Sequence, residues 1–195
     1  MAVLPIITIP HPTLRQTAER VKLVTPELIS FTNSLAETLD KKRNPGGVGL
    51  AAPQLNKLWR IFVLNLDLLG SEKSNKRTLQ VCINPEILAH SQNRSLGPNP
   101  KDATLEGCLS MPGLYGPVPR WQWIDLTFSE LVNGKLETRQ LRLNDFAARV
   151  AQHEYDHLEG ILFTDYANEY DLPVYKENKK GELIELEDRS LLNYL

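Results

Sequence analysis

The sequence predicts an α+β domain of short, mostly antiparallel strands packed around one central helix, and three observations predict it. Two segments, 28–39 and 144–158, carry apolar residues at helical spacing. Between them lie several short runs that are apolar throughout or alternate with polar residues, as strands do. Asn133-Gly134 joins two such runs and is a strong hairpin signal. A chain of 195 residues can bury one sizeable core, and no linker-like stretch divides it, so a single domain over 1–195 is expected.

The elements follow in order. Residues up to Leu14 are proline-rich and read as extended chain lying over the body of the domain. Thr25-Pro26-Glu27 is a helix start, with Thr as the cap and Pro at the first helical position, where its missing N–H costs nothing. Leu28, Phe31, Leu35 and Leu39 then repeat at helical spacing until Asn44-Pro45-Gly46-Gly47 stops the helix. Segments 61–64 and 79–83 read as short strands. Ile124, Leu126 and Phe128 mark a half-buried strand whose hairpin partner is 136–141. The polar stretches 71–77 and 91–102 read as surface loops. Asn144 is the expected cap and Gly160 the expected stop of the second helix, with Phe146, Val150, His153 and His157 along one side. From about Asp165 a net acidic tail interrupted by Pro173 begins.

Composition excludes several classes of function. The apolar fraction of 42% and charged fraction of 24% are those of an ordinary globular domain. A net charge of -2 provides no positive field for nucleic acid, and the cluster Lys41-Lys42-Arg43 is too short to change that. No apolar run approaches the ~20 residues that span a bilayer. The opening residues MAVLPIITIP lack the basic start of a signal peptide. Cys82 and Cys108 are too few for a disulfide scaffold, although a bond between them stays open at this point. Cys82, within the apolar run 79–83, reads as a small buried hydrophobe. The expectation is a soluble protein of a reducing compartment, with no membrane and no sequence-specific nucleic-acid partner.

His153-Glu154-Tyr155-Asp156-His157 fits H-E-x-x-H on the second helix. Histidines four residues apart project the same way and can share one ion, with Glu154 beside the first of them, placed to exchange protons with water. Two core histidines sharing a face would be the alternative, but the chain has only four histidines and an acidic residue stands between these two. A third ligand is needed. The extended peptidase pattern fails because Phe163 stands where its third His would be. Glu177 lies in a segment without helical periodicity and reads as a solvated carboxylate. Cys108, in Glu106-Gly107-Cys108-Leu109-Ser110, suits a borderline or soft divalent ion and would leave the fourth position open for water. Taken alone, Cys108 is equally well an inert buried thiol.

These residues resemble those of the peptide deformylase family. Gly47-Val-Gly49-Leu-Ala51-Ala52-Pro-Gln54 is similar to its first motif, Glu106-Gly107-Cys108-Leu109-Ser110 to its second, and Gln152-His153-Glu154-Tyr-Asp156-His157 to its third. The similarity runs in order from about Ile9 to about Asp165. The resemblance implies removal of the formyl group from N-terminal formyl-methionine of nascent chains, in a bacterial cytoplasm or a processed organellar form. It implies one divalent ion per chain on Cys108, His153 and His157, with Fe²⁺ favoured natively and Zn²⁺, Ni²⁺ or Co²⁺ as other occupants. It further implies that Gln54 and the Leu109 backbone N–H stabilise the oxyanion while Glu154 handles protons.

The resemblance also implies that Phe146, Arg149 and Val150 line a methionine pocket, with Val48 and Gly49 near. For Phe146 and Val150, core packing is an equally good account, and the Arg149 stem could cover the pocket while its guanidinium reaches solvent. Gly47 and Gly49 let a peptide approach the backbone, or simply make a tight turn into a buried strand. An Asp156–Arg120 salt bridge bracing the helix against the Cys108 segment is implied as well, with solvent-exposed charges as the alternative. Tyr115 departs from the family, where many members carry Arg. Some relatives approach the ribosome through a basic C-terminal helix. This tail is acidic, so a ribosomal encounter would use another surface or be transient. Two rival functions fit less well: a zinc peptidase using the same helix, which lacks the peptidase-type third ligand, and a structural metal domain needing a fourth ligand, for which the one other mid-chain histidine, His90, reads as a strand-edge surface residue.

Overall fold

The computed structural model describes residues 2–42, 46–66, 78–98 and 102–188. Three helices, α1 (Pro26–Lys41), α2 (Asp145–Leu158) and α3 (Phe163–Glu169), pack against eleven strands among the described residues. The first three strands are β1 (Gly49–Ala51), β2 (Ile61–Asn65) and β3 (Leu79–His90); β4 (Arg94–Ser95) and β5 (Leu105–Cys108) follow. Next come β6 (Met111–Pro117), β7 (Arg120–Trp121), β8 (Trp123–Val132) and β9 (Lys135–Asn144), and last β10 (Tyr175–Glu177) and β11 (Leu183–Glu185). They form a five-stranded sheet β1-β2-β3-β8-β9, a four-stranded sheet β11-β10-β6-β5 and the pair β4-β7. Every ladder is antiparallel, so the expected α+β class is the observed one.

Strand β2 is buried along its whole length because helices cover both its faces. Ile61 and Val63 pack with Leu28, Leu35 and Leu39 of α1, whereas Phe62 and Leu64 pack with Ala148, Val150 and Ala151 of α2. In β8 the alternation read from the sequence is observed, with Ile124, Leu126 and Phe128 turned into the α2 side. Its hairpin with β9 closes on Asn133 (φ 49) and Gly134 (φ 75), both in the left-handed region that such a two-residue turn needs. A third core joins the smaller sheet to α3 through Met111, Val118, Leu162, Phe163 and Val174.

Helix starts and stops follow local chemistry. Thr25 caps α1 by accepting from Leu28 N at 3.1 Å. Its expected stop at Asn44-Pro45 lies outside the described residues, as do 71–77, 99–101 and the final residues 189–195. Asn144 is the N-cap of α2 by position, but its side chain makes no capping bond. The helix ends in a Schellman turn: Ile161 N donates to Asp156 O at 3.0 Å and Gly160 N to His157 O at 3.4 Å, with Gly160 at φ 72. A Cβ at Gly160 would also lie 2.7 Å from the Arg15 carbonyl. Gly160→Ala should therefore destabilise the fold by at least about 1–2 kcal/mol, the left-handed penalty alone, read as a lower urea midpoint with unchanged slope.

Three elements run differently from the sequence reading. Strand β3 continues past Asn84-Pro85 to His90, because Asn84 (φ 51) takes up a register shift while its amide pairs with Val21 at 2.8 Å on both sides. The segment 91–102 is interrupted by β4. The tail from Asp165 is built into the body: α3 includes Asp165, and β10 pairs with β6. Cys82 and Cys108 are free thiols, so the disulfide left open is absent.

Candidate active site

The centre lies where α2 meets the turn between β5 and β6. Cys108 ends β5 and pairs with Met111 across the two-residue turn Leu109-Ser110, which sets the sulfur on the α2 side. Two turns of α2 deliver His153 and His157 to it. One donor atom from each of Cys108, His153 and His157 lies within 4.8 Å of the others, and Cys108 Sγ is 3.2 Å from His157 Nε2. His153 Nδ1 faces Glu106 Oε2 at 3.0 Å, which leaves Nε2 for the cluster. Gln54 Nε2 and Ser110 N point at the sulfur from 3.5 and 3.4 Å, donors suited to a thiolate.

The residues fit a divalent ion. One thiolate and two imidazoles match a borderline cation and form a three-donor set with a position left open. Burial pushes the His157 pKa well down, aided by His153, so it offers a neutral ring. Burial opposes a charged His153, but Cys108 and Glu106 outweigh it and draw positive charge to that ring. His90 is the exposed last residue of β3, as the sequence reading had it, and stacks on Trp121 with ring centroids 3.8 Å apart rather than joining the cluster.

Glu154 is buried beside this cluster, and burial raises its carboxyl pKa to about 7 against the opposing pull of His153. Its Oε2 has no hydrogen-bond partner among the described residues. Gly49 makes room for it, since a Cβ there would fall 2.7 Å from Glu154 Cγ and 2.8 Å from Cδ. Gly49→Ala should thus displace the carboxylate; turnover is expected to fall by about 10²-fold or more, and the unfolding midpoint to fall as well, because overpacking a buried site costs about 1–3 kcal/mol. A kinetic and a urea measurement on one preparation check this.

Above the cluster opens a cavity of about 280 Å³. All five residues assigned to the substrate side line it: Val48, Gly49, Phe146, Arg149 and Val150. So do Gln54, Leu109, Cys108, His153 and Glu154, while His157 lies behind its wall. Phe146 is 47% exposed and therefore belongs to the cavity wall rather than the core. Gln54 is pinned by Ala51 N, which donates to its Oε1 at 2.8 Å, leaving Nε2 directed at Cys108 and at Ser110 Oγ, 3.2 Å away.

Arg149 corrects the sequence reading. Its guanidinium does not reach solvent but is buried, donating from Nη1 to Glu106 Oε1 at 2.9 Å and to Val118 O at 2.6 Å, and from Nη2 to Ser95 O at 3.0 Å.

Glu106, to which the sequence reading gives no role, organises the site. Arg120 grips it with two bonds of 2.9 Å and reaches Asp156 Oδ2 at 2.5 Å. The expected Arg120–Asp156 contact is thus one arm of a buried network running Arg149, Glu106, Arg120, Asp156, with Tyr166 donating to Asp156 at 3.2 Å. Burial alone would raise the Glu106 pKa, but the Arg120 charge outweighs it and holds the carboxyl well below the usual range. The sequence signal was an acidic residue in an otherwise apolar strand beside Cys108. Gln152 was also missed: its side chain clamps both backbone groups of Trp121 at 2.9 Å, fastening α2 to β7.

Comparisons with known proteins agree with this geometry. A family model described as polypeptide deformylase matches residues 3–172. A peptide deformylase of Thermomicrobium roseum is 38% identical, the match covering 100% of this chain and 92% of that one. Peptide deformylase 2 of a Nostoc species is 35% identical over 93% and 94% respectively. Among solved structures, a class I type b peptide deformylase from Acinetobacter baumannii matches with a TM-score of 0.68 and 31% identity over 85% of this chain and 99% of that one. A probable peptide deformylase from Synechococcus phage S-SSM7 gives 0.69 and 34% over 84% and 99%.

Proposed function

The chain belongs to the peptide deformylase family and is a metal-dependent hydrolase of that family, and from this premise we propose that it removes the formyl group from formyl-methionyl ends of nascent polypeptides. The observation that carries the reading is the open Cys108–His153–His157 donor set with a buried carboxylate, Glu154, beside it at the floor of a cavity. A divalent ion held by those three side chains would supply Lewis acidity at the formyl oxygen and activate water. Fe²⁺ is the native occupant we propose, with Zn²⁺, Ni²⁺ and Co²⁺ as substitutes of similar softness.

The protein side of the reaction follows from its own groups. Glu154 accepts the proton of the attacking water and returns it to the departing amine, which a poor leaving group requires. A carboxyl with a pKa near 7 serves both directions at neutral pH. The Gln54 amide and the Leu109 backbone N–H meet the charge that gathers on the formyl oxygen. Phe146, Val150, Val48, Gly49 and Arg149 enclose the methionine side chain, Arg149 through the stem that its ion pair immobilises. Asp156 and Arg120 position α2 against the Cys108 strand. The whole chain acts as one catalytic domain in a bacterial cytoplasm, where newly made chains are its partners and any ribosomal contact is transient.

The test compares formyl-Met-Ala-Ser, acetyl-Met-Ala-Ser and an unformylated peptide with anaerobically prepared Fe²⁺ or Ni²⁺ protein. Formate and a free amine are expected from the first alone. Internal cleavage of the unformylated peptide would establish a peptidase instead.

A further inference from the structure

We propose that the N-terminal segment 4–9 is a positioning strap for the centre. Through the backbone N–H groups of Ile7 and Ile9 it fixes Gln54 and Ser110, the two residues whose donors rest on the Cys108 sulfur. This rests on the deformylase reading and adds to it a stretch of chain that lines no part of the cavity.

Both residues sit in turns rather than in a regular ladder. Gln54 lies in the single 3₁₀ turn Ala52–Leu55, and Ser110 in the two-residue turn between β5 and β6. Gln54 Nε2 reaches Cys108 Sγ at 3.5 Å and Ser110 Oγ at 3.2 Å, and Ser110 N reaches the same sulfur at 3.4 Å. The bonds that close the first turn run from Asn56 to Pro53 and from Lys57 to Ala52, which leaves the Gln54 carbonyl outside them. Ile7 N donates to that carbonyl at 2.9 Å, and Ile9 N donates to the Ser110 carbonyl at 3.1 Å. Alternate residues of an extended chain present their N–H groups along one edge, about 6–7 Å apart. One short stretch thus ties together two turns that are 56 residues apart in sequence.

The strap is itself anchored at both ends. Leu4 N donates to Thr38 Oγ1 of α1 at 2.9 Å, and beyond the segment Thr13 Oγ1 donates to Asn56 Oδ1 at 2.7 Å. Ile6 packs with the α1 core and Ile9 with the core of α3 and the smaller sheet. The Ile7 side chain belongs to neither core, so what residue 7 supplies is its N–H. Without that bond the Gln54 peptide is free to turn, and its amide moves off the sulfur. A donor displaced by about 1 Å can cost about 10²-fold in rate. Loss of the donors also changes the sulfur itself, because hydrogen bonds to a thiolate stabilise its lone pairs.

The test uses full-length protein and two readouts: kcat of the Ni²⁺ form on formyl-Met-Ala-Ser, and the thiolate-to-metal absorption band of the Co²⁺ form. Ile7→Pro, which removes the N–H, should lower kcat by about tenfold to a hundredfold and leave KM within about twofold, the scale for loss of an outer partner of a metal site. The Co²⁺ band should move to longer wavelength as the sulfur loses its donors. Ile7→Ala keeps the N–H, and Thr8→Pro removes one that makes no hydrogen bond among the described residues, so both should match the unsubstituted enzyme in each readout. Should Ile7→Pro fail to fold, replacing Ile7 by its α-hydroxy acid exchanges the N–H for an ester oxygen, keeps the side chain and carries the same expectations. An unshifted band, an unchanged kcat or an equal loss in Thr8→Pro would overturn the proposal. A lower urea midpoint with both readouts intact would make the segment a structural tie alone. Absence of formate from the unsubstituted, metal-loaded enzyme would overturn the deformylase reading instead, and the Co²⁺ band would still decide on the strap.

Discussion

Glu154→Gln should retain the metal and lose turnover by about 10²–10⁴-fold, the range for removing a positioned acid–base group. The substitution keeps size and burial but removes a carboxyl at the cavity floor whose pKa, about 7, suits both taking and giving a proton. Its neighbours stay in place, because His153 is oriented by Glu106 rather than by Glu154. Metal content by elemental analysis and kcat on a formylated peptide are the two readouts. Turnover within about tenfold of the unsubstituted enzyme would remove Glu154 from the chemistry.

Glu106→Ala should be the most damaging substitution to stability, at about 3–5 kcal/mol, because it strands buried charge. Arg120 would lose both of its bonds to Glu106, keeping Asp156, and Arg149 would keep only backbone carbonyls. Domains of this size are stable by about 5–15 kcal/mol, so the loss is a large share and should appear as a markedly lower urea midpoint. His153 would also lose the partner of Nδ1, which should weaken metal binding by about 10–100-fold in a chelator competition. Glu106 holds its proton-free form well below the usual carboxylate range, so its contribution is complete at neutral pH and lost only as pH falls through that lowered pKa.

Much of the centre was legible because it is local in sequence. The His153–Glu154–His157 spacing places three groups by helix geometry alone, and Asn133-Gly134 sets its turn by residue chemistry. Cys108 became more than a buried thiol only through its surrounding motif, since nothing local says which helix it will face. Arg149 illustrates the limit. Its partners, Glu106, Val118 and Ser95, lie on three separate segments, and burial of its guanidinium depends on all of them. The role of Glu106 was hidden for the same reason. The tail read as an acidic extension because β10 and β11 are only three residues each and owe their form to pairing with β6, a contact absent from local pattern.

The function proposed here requires one ion on Cys108, His153 and His157, with Glu154 as the proton carrier beside it. Anaerobic titration of metal-free protein with Ni²⁺, read as formate released from formyl-Met-Ala-Ser, tests it most directly. Activity should rise linearly, break at one equivalent per chain, and be absent at every ratio in Cys108→Ala. Formate release that is the same with and without metal, or that survives in Cys108→Ala, would rule out a Cys108-bound ion as the source of activity.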